Sequence, residues 1–236
     1  MKRGGGGERE PAAALRVDRA RVLESLRVSR ETLERLDLYA DLILKWQKSI
    51  NLIAPSTLPS LWTRHILDSA QIAELGGGQK CWVDIGSGAG FPGLVIALLA
   101  EDRGERSEVH LIESDRRKAS FLREAARIAR ASVVIHAERA ESALPSLSGR
   151  ATAVSARALA PLAELLGLAE PLLTTGATGF FPKGQALESE IERASTLFEF
   201  EAELVPSRTD ESGRIAVIRN LRRRPAPLSR REGIRR

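Results

Sequence analysis

The sequence predicts an α/β fold: a doubly wound, mostly parallel seven-stranded sheet with an N-terminal helical extension. From Lys80 onward, short apolar runs alternate with segments of helical periodicity, which is typical of a parallel sheet covered by helices on both faces. Before Lys80, apolar residues recur only at helical spacing. The stretch VDIGSGAGFPG (83–93) joins the first apolar run of the alternating part to its first helix. Together these observations predict one α/β domain preceded by helices.

The part before the sheet is predicted to be helical. Residues 1–14, which include the run MKRGGGGERE, are expected to be a flexible lead. Apolar spacing indicates a helix between Asp18 and Val28, then a longer one from an N-cap at Ser29 to about Lys48. The segment LWTRHILDSAQIAELGGG (61–78) indicates one or two further helices that end at its glycines. Residues 15–78 are therefore expected to form a helical cap.

Residues 79–221 are predicted to form the sheet domain. Five strands are expected at KCWVDI, EVHLIES, SVVIHA, ATAVSARA and ATGFFPKG, and two closing strands at FEAELVPS and RIAVIRNL. Helices are expected between them at 92–100, in DRRKASFLREAARIAR, after Pro161 and in QALESEIERASTLFE, with a turn or short helix at ERAESAL. Short connections and right-handed crossovers favour a doubly wound topology for this order.

Composition narrows the class of protein. A chain of 236 residues is long enough for one α/β domain with extensions. Cys81 is the single cysteine, which excludes a disulfide framework and a cysteine-rich metal site; within its apolar run we expect a buried, inert thiol. No metal site is predicted.

The sequence has no apolar run of membrane-spanning length and no signal peptide, so we expect a cytoplasmic protein without a membrane partner.

The positive charge is concentrated at the C-terminus. The chain has a net charge of +5, and eight arginines lie between Arg219 and Arg236 beside a single acid, Glu232. We expect residues 222–236 to form a basic, disordered tail. A tail of this composition favours a polyanionic partner such as nucleic acid.

The stretch VDIGSGAGFPG predicts a nucleotide-type cofactor site. Asp84 stands where a buried strand would emerge, and Gly86, Gly88 and Gly90 alternate after it. Glycines at these positions let the backbone approach a ligand where any Cβ would collide. Pro92 suits the first turn of the next helix, whose free N–H groups attract an anionic group.

Polar residues also follow the later strands of the predicted sheet. Ligands of open α/β sheets bind beyond the carboxyl ends of the strands. Glu113 ends the second strand and can accept both ribose hydroxyls of a nucleoside. The segment Glu138 to Glu141 follows the third strand, Arg157 ends the fourth, and Lys183 follows the fifth. We expect these residues to surround one ligand.

Two cofactors fit this pattern. Gly88, Gly90 and Gly93 satisfy the dinucleotide spacing G-x-G-x-x-G. The acid before the first glycine, and the lack of a candidate for hydride or proton chemistry near the loop sequence, favour S-adenosylmethionine. Its ribose suits Glu113, its adenine the segment after the third strand, and its sulfonium an acid-lined backbone. The spacing alone leaves a dinucleotide open.

Seven stretches make the chain resemble the bacterial 16S ribosomal RNA guanine-N7 methyltransferases, also called the glucose-inhibited division protein B family. They follow the family's order across about Leu33 to Leu221: NLI (51–53), RHILDS (64–69), VDIGSGAGFPGL (83–94), LIESDRRKASFLRE (111–124), RAE (139–141), SARALAPL (155–162) and PKG (182–184). RHILDS together with GSGAGFPG is specific, whereas the glycine loop alone is generic. The resemblance implies a Rossmann-like class I methyltransferase fold.

The resemblance also implies an activity and a site. The activity is methyl transfer from S-adenosylmethionine to N7 of a guanine in the 530 loop of 16S ribosomal RNA. The partner is that RNA or the small ribosomal subunit, and we expect a monomer. In matching positions the resemblance implies cofactor contacts by Gly86, Phe91, Ala140, Glu141 and Arg157. Asp84, Gly88, Gly90 and Glu113 complete the predicted cofactor site.

The predicted chemistry makes few demands on side chains. Guanine N7 carries a free lone pair, so in-line transfer needs no general base, and the protein must hold N7 at roughly 3–3.5 Å from the methyl group. Arg64, Arg157 and Lys183 are candidates for orienting the base and its phosphates, because each adjoins a strand end or RHILDS. Two alternatives stay open: a methyltransferase acting on another RNA or a small molecule, and a non-catalytic RNA-binding protein.

Overall fold

The sheet has the predicted class and strand number. The computed structural model describes residues 9–225, and within this range seven strands form one sheet in the order β3-β2-β1-β4-β5-β7-β6. Strands β1 to β5 pair in parallel, and β7 runs antiparallel to both β5 and β6. The strands are β1 (Cys81–Ile85), β2 (Glu108–Ile112), β3 (Val134–His136), β4 (Ala153–Ser155), β5 (Thr178–Lys183), β6 (Phe198–Pro206) and β7 (Arg214–Arg223).

Helices cover both faces of this sheet. They are α1 (Arg9–Leu23), α2 (Arg30–Trp46), α3 (Asp68–Leu75), α4 (Gly93–Asp102), α5 (Arg116–Ala129), α6 (Ala140–Ala143), α7 (Leu162–Leu173) and α8 (Leu187–Ser195). Alternate strand residues face opposite layers: Trp82 and Phe180 join the core under α2, α4 and α5, whereas Val83 and Phe181 join the core under α7 and α8. This alternation produces the doubly wound arrangement.

The helical cap is built differently from the prediction in three places. α1 begins at Arg9, inside the expected flexible lead, because alanine-rich sequence has high helix propensity and Pro11 lies in the first turn. It ends at Leu23, before the predicted end near Val28. The stretch predicted as one or two helices contains a π-helix at Trp62–Leu67 and then α3. Residues 1–8 lie outside the described range.

The cap and the sheet share one hydrophobic core. Leu36, Tyr39 and Ile43 of α2 are buried in the same cluster as Leu94 of α4 and Phe121 of α5. The predicted N-cap is confirmed, since Ser29 Oγ accepts from Thr32 N–H at 3.1 Å. Packing of α2 therefore connects the cap to the helix that follows the glycine loop. Among residues 9–225, every helix is too short or too polar to cross a membrane.

At the C-terminal end, β7 extends to Arg223, past the predicted boundary at 221. The predicted tail therefore begins inside a strand, because Arg222 and Arg223 pair in register with Glu199 and Phe198 of β6. Residues 226–236, which hold the rest of the predicted tail, lie outside the described range.

Candidate active site

A single large cleft collects most of the predicted site residues. It opens beyond the carboxyl ends of the parallel strands and has a volume of about 1160 Å³. That volume exceeds the roughly 300–1,000 Å³ typical of pockets for one small molecule, so the cleft has room for a second ligand. Of the predicted residues, those in its lining are Arg64, Gly86, Gly88, Phe91, Glu113, Ala140, Glu141, Arg157 and Lys183.

Asp84 does not line the cleft, contrary to the prediction. Its side chain is fully buried behind the glycine loop, where Oδ1 accepts from Ser155 Oγ at 2.7 Å and Oδ2 from Gly93 N–H at 3.2 Å. Burial raises the pKa of this carboxyl to about 6, against the opposing effect of the donors from Ser155, Ser87 and Gly93. Asp84 therefore ties β1 to β4 and to the start of α4.

Gly90 also lies outside the cleft lining, and close packing accounts for this glycine. Its φ is +94°, and an added Cβ would lie 2.8 Å from Tyr39 Oη and 3.1 Å from Leu94 Cβ. Tyr39 Oη in turn donates to the carbonyl of Ala89. The position needs glycine so that α2 can approach the loop, not so that a ligand can approach it.

Gly86 and Gly88 do face the cleft. Their φ values are +68° and +56°, a region that side chains of L-residues rarely adopt. A Cβ on Gly86 would lie 2.9 Å from Leu159 Cδ1, a residue on the loop after β4. Gly86 and Gly88 thus present bare backbone to the cleft, and Leu159, which also lines the cleft, lies close to Gly86.

Glu113 holds the glycine loop and still has free acceptor capacity. Its Oε2 accepts from Gly88 N–H at 2.9 Å, and its Oε1 accepts from Asp115 N–H at 2.7 Å. Each carboxylate oxygen has two lone pairs, so each can accept one more hydrogen bond. Because Glu113 lines the cleft, a diol lying there can donate to both oxygens.

Arg157 connects the end of β4 to the RHILDS segment. Its Nη1 donates to the carbonyl of Arg64 at 2.8 Å and lies 3.4 Å from Asp68 Oδ2. Its guanidinium lies over the ring of Phe91, with Cζ 5.4 Å from the ring centroid. These contacts place a fixed cation and an aromatic ring together on the cleft wall beside the glycine loop.

His65 is neutral, and its contacts define its tautomer. Burial, Arg157 and Arg64 together lower its pKa to about 3. Arg157 Nη2 donates to Nδ1, because a guanidinium has no acceptor, so Nε2 carries the proton and donates to Thr57 Oγ1 at 2.8 Å. The hydroxyl of Thr57 in turn donates a hydrogen bond to the carbonyl of Ala54. This ordered chain fixes Arg157 from the cap side.

Arg64 forms the mouth of the cleft with a residue that the sequence did not indicate. Its Nη1 donates to Asp210 Oδ2 at 2.9 Å, and both side chains are partly exposed. This donor, with Ser212, lowers the pKa of Asp210 to about 2, so the carboxylate is ionised at neutral pH. Thr209 Oγ1 of the same β6–β7 loop donates to Asp68 at 2.8 Å. The loop thereby closes against the RHILDS segment.

Lys183 is held inside the wall of the cleft. Its Nζ donates to the carbonyl of Ala160 at 2.6 Å and pairs with Glu190 Oε2 at 2.9 Å. Glu190 Oε2 also accepts from Leu162 N–H at 2.6 Å. These contacts fix the loop between β4 and α7. Lys183 therefore positions that loop, and its substrate-orienting role stays a prediction.

Leu159 and Asp210 shape the cleft and were not singled out from the sequence, and neither were the hydrogen-bond partners of His65. The RHILDS match included His65, but no spacing rule indicated that a π-helix would direct it onto Arg157. Asp210 lies in a polar turn between two strands, a pattern common to solvated loops. Its approach to Arg64 depends on tertiary packing. Ala140 and Glu141 stand at the start of α6 and reach the cleft as predicted.

Comparison with known proteins gives one consistent family. A family model described as rRNA small subunit methyltransferase G matches residues 32–214. A protein named ribosomal RNA small subunit methyltransferase G from Methylobacterium nodulans is 47% identical, and the match covers 86% of this chain and 96% of that protein. A protein of the same name from a Bradyrhizobium species is 48% identical, with 86% and 90% covered.

Solved structures share the fold at low sequence identity. An O-methyltransferase from Bacillus cereus in complex with S-adenosylhomocysteine (SAH) superposes with a TM-score of 0.54 at 12% identity. The superposition covers 88% of this chain and 99% of that one. The fold is therefore that of the class I S-adenosylmethionine-dependent methyltransferases, as the sequence predicted.

Proposed function

The chain belongs to the rRNA small subunit methyltransferase G family, and on this premise we propose that it methylates N7 of a guanine in the 530 loop of 16S ribosomal RNA. It is an S-adenosylmethionine-dependent enzyme. The observation that carries the proposal is the cleft itself, in which a bare glycine loop, the acceptor Glu113 and the Arg157–Phe91 pair converge. Its volume of about 1160 Å³ suits a cofactor together with a base.

The residues present fit S-adenosylmethionine. Gly86 offers a cradle that any Cβ would fill, and Glu113 offers one free lone pair on each oxygen for the two ribose hydroxyls. Ala140 and Glu141, at the start of α6, border the same cleft and would contact the adenine side. When bound, S-adenosylmethionine supplies an electrophilic methyl group on a sulfonium.

The remaining residues would bind and orient the acceptor base. Guanine N7 has a free lone pair, so the protein need not remove a proton, and the neutral His65 is already committed to Arg157 and Thr57. Phe91 offers an apolar face, and Arg157 a donor, on one wall of the cleft. Arg64, which is partly exposed at the mouth, would donate to guanine O6 or to a flanking phosphate. Positioning and exclusion of water would supply most of the rate.

We also propose an oligomeric state, a cellular location and a partner. We propose that the enzyme acts as a monomer in the cytoplasm, on 16S ribosomal RNA or the small subunit that contains it. The basic C-terminal segment would add contacts to RNA phosphates, because eight arginines lie between Arg219 and Arg236.

Transfer of a labelled methyl group tests the activity. The protein, labelled S-adenosylmethionine and unmodified 16S ribosomal RNA or small subunits should yield labelled RNA. Glu113→Ala should lose both cofactor binding and transfer, because the loop and the ribose lose a common acceptor. Glu203→Ala, which removes an exposed acid on β6, is the matched control and should retain both. Calorimetry in which SAH gives no heat while NADH binds would contradict the cofactor assignment.

A further inference from the structure

The buried histidine of β2, His110, has one ring nitrogen that makes no hydrogen bond. His110, on β2, is 3% exposed, and its Nε2 is inaccessible to water and without a hydrogen-bond partner among the described residues. A buried nitrogen left without a partner destabilises the folded protein. His110, Cys81 and Glu108 all lie outside the cleft lining, so this position is separate from the candidate active site.

Two other side chains of types that can bind a metal ion lie close to this nitrogen. Cys81 of β1 stands opposite Glu108 of β2 in the parallel register, and Glu108 and His110 share one face of β2. One ligand atom from each of these three residues lies within 4.8 Å of the other two. Glu108 Oε1 is 3.2 Å from His110 Nε2, without the alignment of a hydrogen bond.

Neighbouring groups orient His110 as a metal ligand would require. Its Nδ1 lies 2.9 Å from His136 Nε2, so a proton on Nδ1 can be donated to His136, leaving His110 Nε2 with a free lone pair. His136 Nδ1 lies 3.7 Å from Glu138 Oε1, too far for a hydrogen bond. Arg150 Nη2 lies nearer to Glu108 Oε2, at 3.0 Å, than to Oε1, at 3.3 Å. Ligating histidines almost always donate their second N–H to an acceptor, and His136 Nε2 would be that acceptor for His110.

We propose that Cys81, Glu108 and His110 bind a divalent zinc ion. Zinc accepts thiolate, carboxylate and imidazole together, and three protein ligands leave the fourth position for water. A thiolate and a carboxylate balance the charge of the ion, and the thiol proton is released to solvent on binding. Around a tetrahedral zinc ion such ligand atoms lie about 3.5 Å apart, so the more distant of them need to close by up to about 1.3 Å, whereas Glu108 Oε1 and His110 Nε2 already lie 3.2 Å apart. Arg150 stays on the outer oxygen of Glu108.

Cobalt(II) provides a spectroscopic test, because Cys81 is the only cysteine of the chain. A sulfur-to-cobalt charge-transfer band can therefore come only from this site. Titration of the full-length protein should give that band with a stoichiometry of one, and added zinc should abolish it. Cys81→Ser should remove the band, and His110→Gln should weaken cobalt binding by at least about 100-fold. His136→Gln should weaken it by about 10–100-fold through the lost partner of His110.

Glu203→Gln is the matched control for Glu108→Gln, since both glutamates are partly exposed and paired with an arginine. Only Glu108→Gln should weaken cobalt binding. The proposal is overturned if wild-type protein gives no band at cobalt concentrations well above the protein concentration. It is equally overturned if the band persists with unchanged affinity in His110→Gln, because a thiol alone would then be the ligand. Circular dichroism of each variant distinguishes loss of ligand from loss of fold.

Discussion

Asp84 and Glu113 show how two acids at neighbouring strand ends acquire different roles. Both were predicted to contact the cofactor from their position after an apolar run. Asp84 is fully buried and holds Ser155 and Gly93, whereas Glu113 reaches the cleft. Asp84 lies inside β1, whereas Glu113 lies one residue beyond the end of β2, and this difference in position along the strand decides which acid can meet a ligand.

The raised pKa of Asp84 predicts a pH-dependent stability. Its folded-state pKa is about 6 against an ordinary value of 3.8, so the protonated form favours folding. This contribution to the free energy of unfolding is up to about 3 kcal/mol. It is complete below pH 3.8 and is lost as pH rises through 6. Asp84→Asn retains an oxygen for Ser155 and has no such titration. The difference between wild-type and variant free energies of unfolding in urea should therefore change across pH 4–6; parallel curves would contradict the assignment.

Gly86→Val should abolish cofactor binding while the protein stays folded. The new side chain would collide with Leu159 and fill the cradle, and its φ of +68° adds about 1–3 kcal/mol of strain. Gly104→Val is the matched control, because Gly104 has φ +70° and open space around its Cβ. Calorimetry with SAH should show no heat for Gly86→Val and normal heat for Gly104→Val. Retained binding in Gly86→Val would place the cofactor elsewhere.

At the scale of elements, the spacing of apolar residues and the positions of prolines and helix-capping residues predicted nearly every strand and helix of the sheet domain. The apolar runs, Pro92, Pro161 and the N-cap Ser29 act locally, so a sequence reader can see them. The π-helix at Trp62–Leu67 and the contact of the β6–β7 loop with Arg64 depend on partners far along the chain. The meeting of Glu113, Glu141 and Arg157 at one cleft followed from strand order, whereas the hydrogen-bond partners of Arg157 and Lys183 did not.

Lys183→Met should destabilise the protein. It removes the partner of the largely buried Glu190 and of the Ala160 carbonyl, which anchor the loop between β4 and α7. Breaking such a pair costs about 3 kcal/mol, and Glu190→Gln should have a similar effect. Lys118→Met changes another cleft lysine and should cost less than about 1 kcal/mol. The substrate-orienting role would be supported instead if Lys183→Met had the wild-type free energy of unfolding in urea and a raised KM for RNA, with an unchanged KM for the cofactor.

At the scale of the molecule, the cap and the sheet together form one large cleft. The cap contributes RHILDS to one wall, and the β6–β7 loop contributes Asp210 to the mouth. Sequence composition predicted the basic segment, but β7 extends into it, so a clean truncation begins at residue 226.

Deletion of residues 226–236 should reduce the salt dependence of RNA binding. The deletion removes four arginines and leaves β7 intact. If all four contact phosphates, the slope of log Kobs against log salt should become shallower by about 3. A full-length variant with these arginines replaced by glutamine should match the deletion. An unchanged slope in both proteins would show that the segment does not contact RNA.

The central claim is tested most directly by locating the transferred methyl group. Unmodified 16S ribosomal RNA is incubated with the protein and S-adenosylmethionine, and the modified nucleotide is mapped by strand cleavage selective for N7-methylguanine. The account predicts one new cleavage, at a guanine of the 530 loop, which is absent without cofactor and absent with Gly86→Val. A methyl group on another base or another atom, or none on any RNA while the cofactor binds, would contradict it.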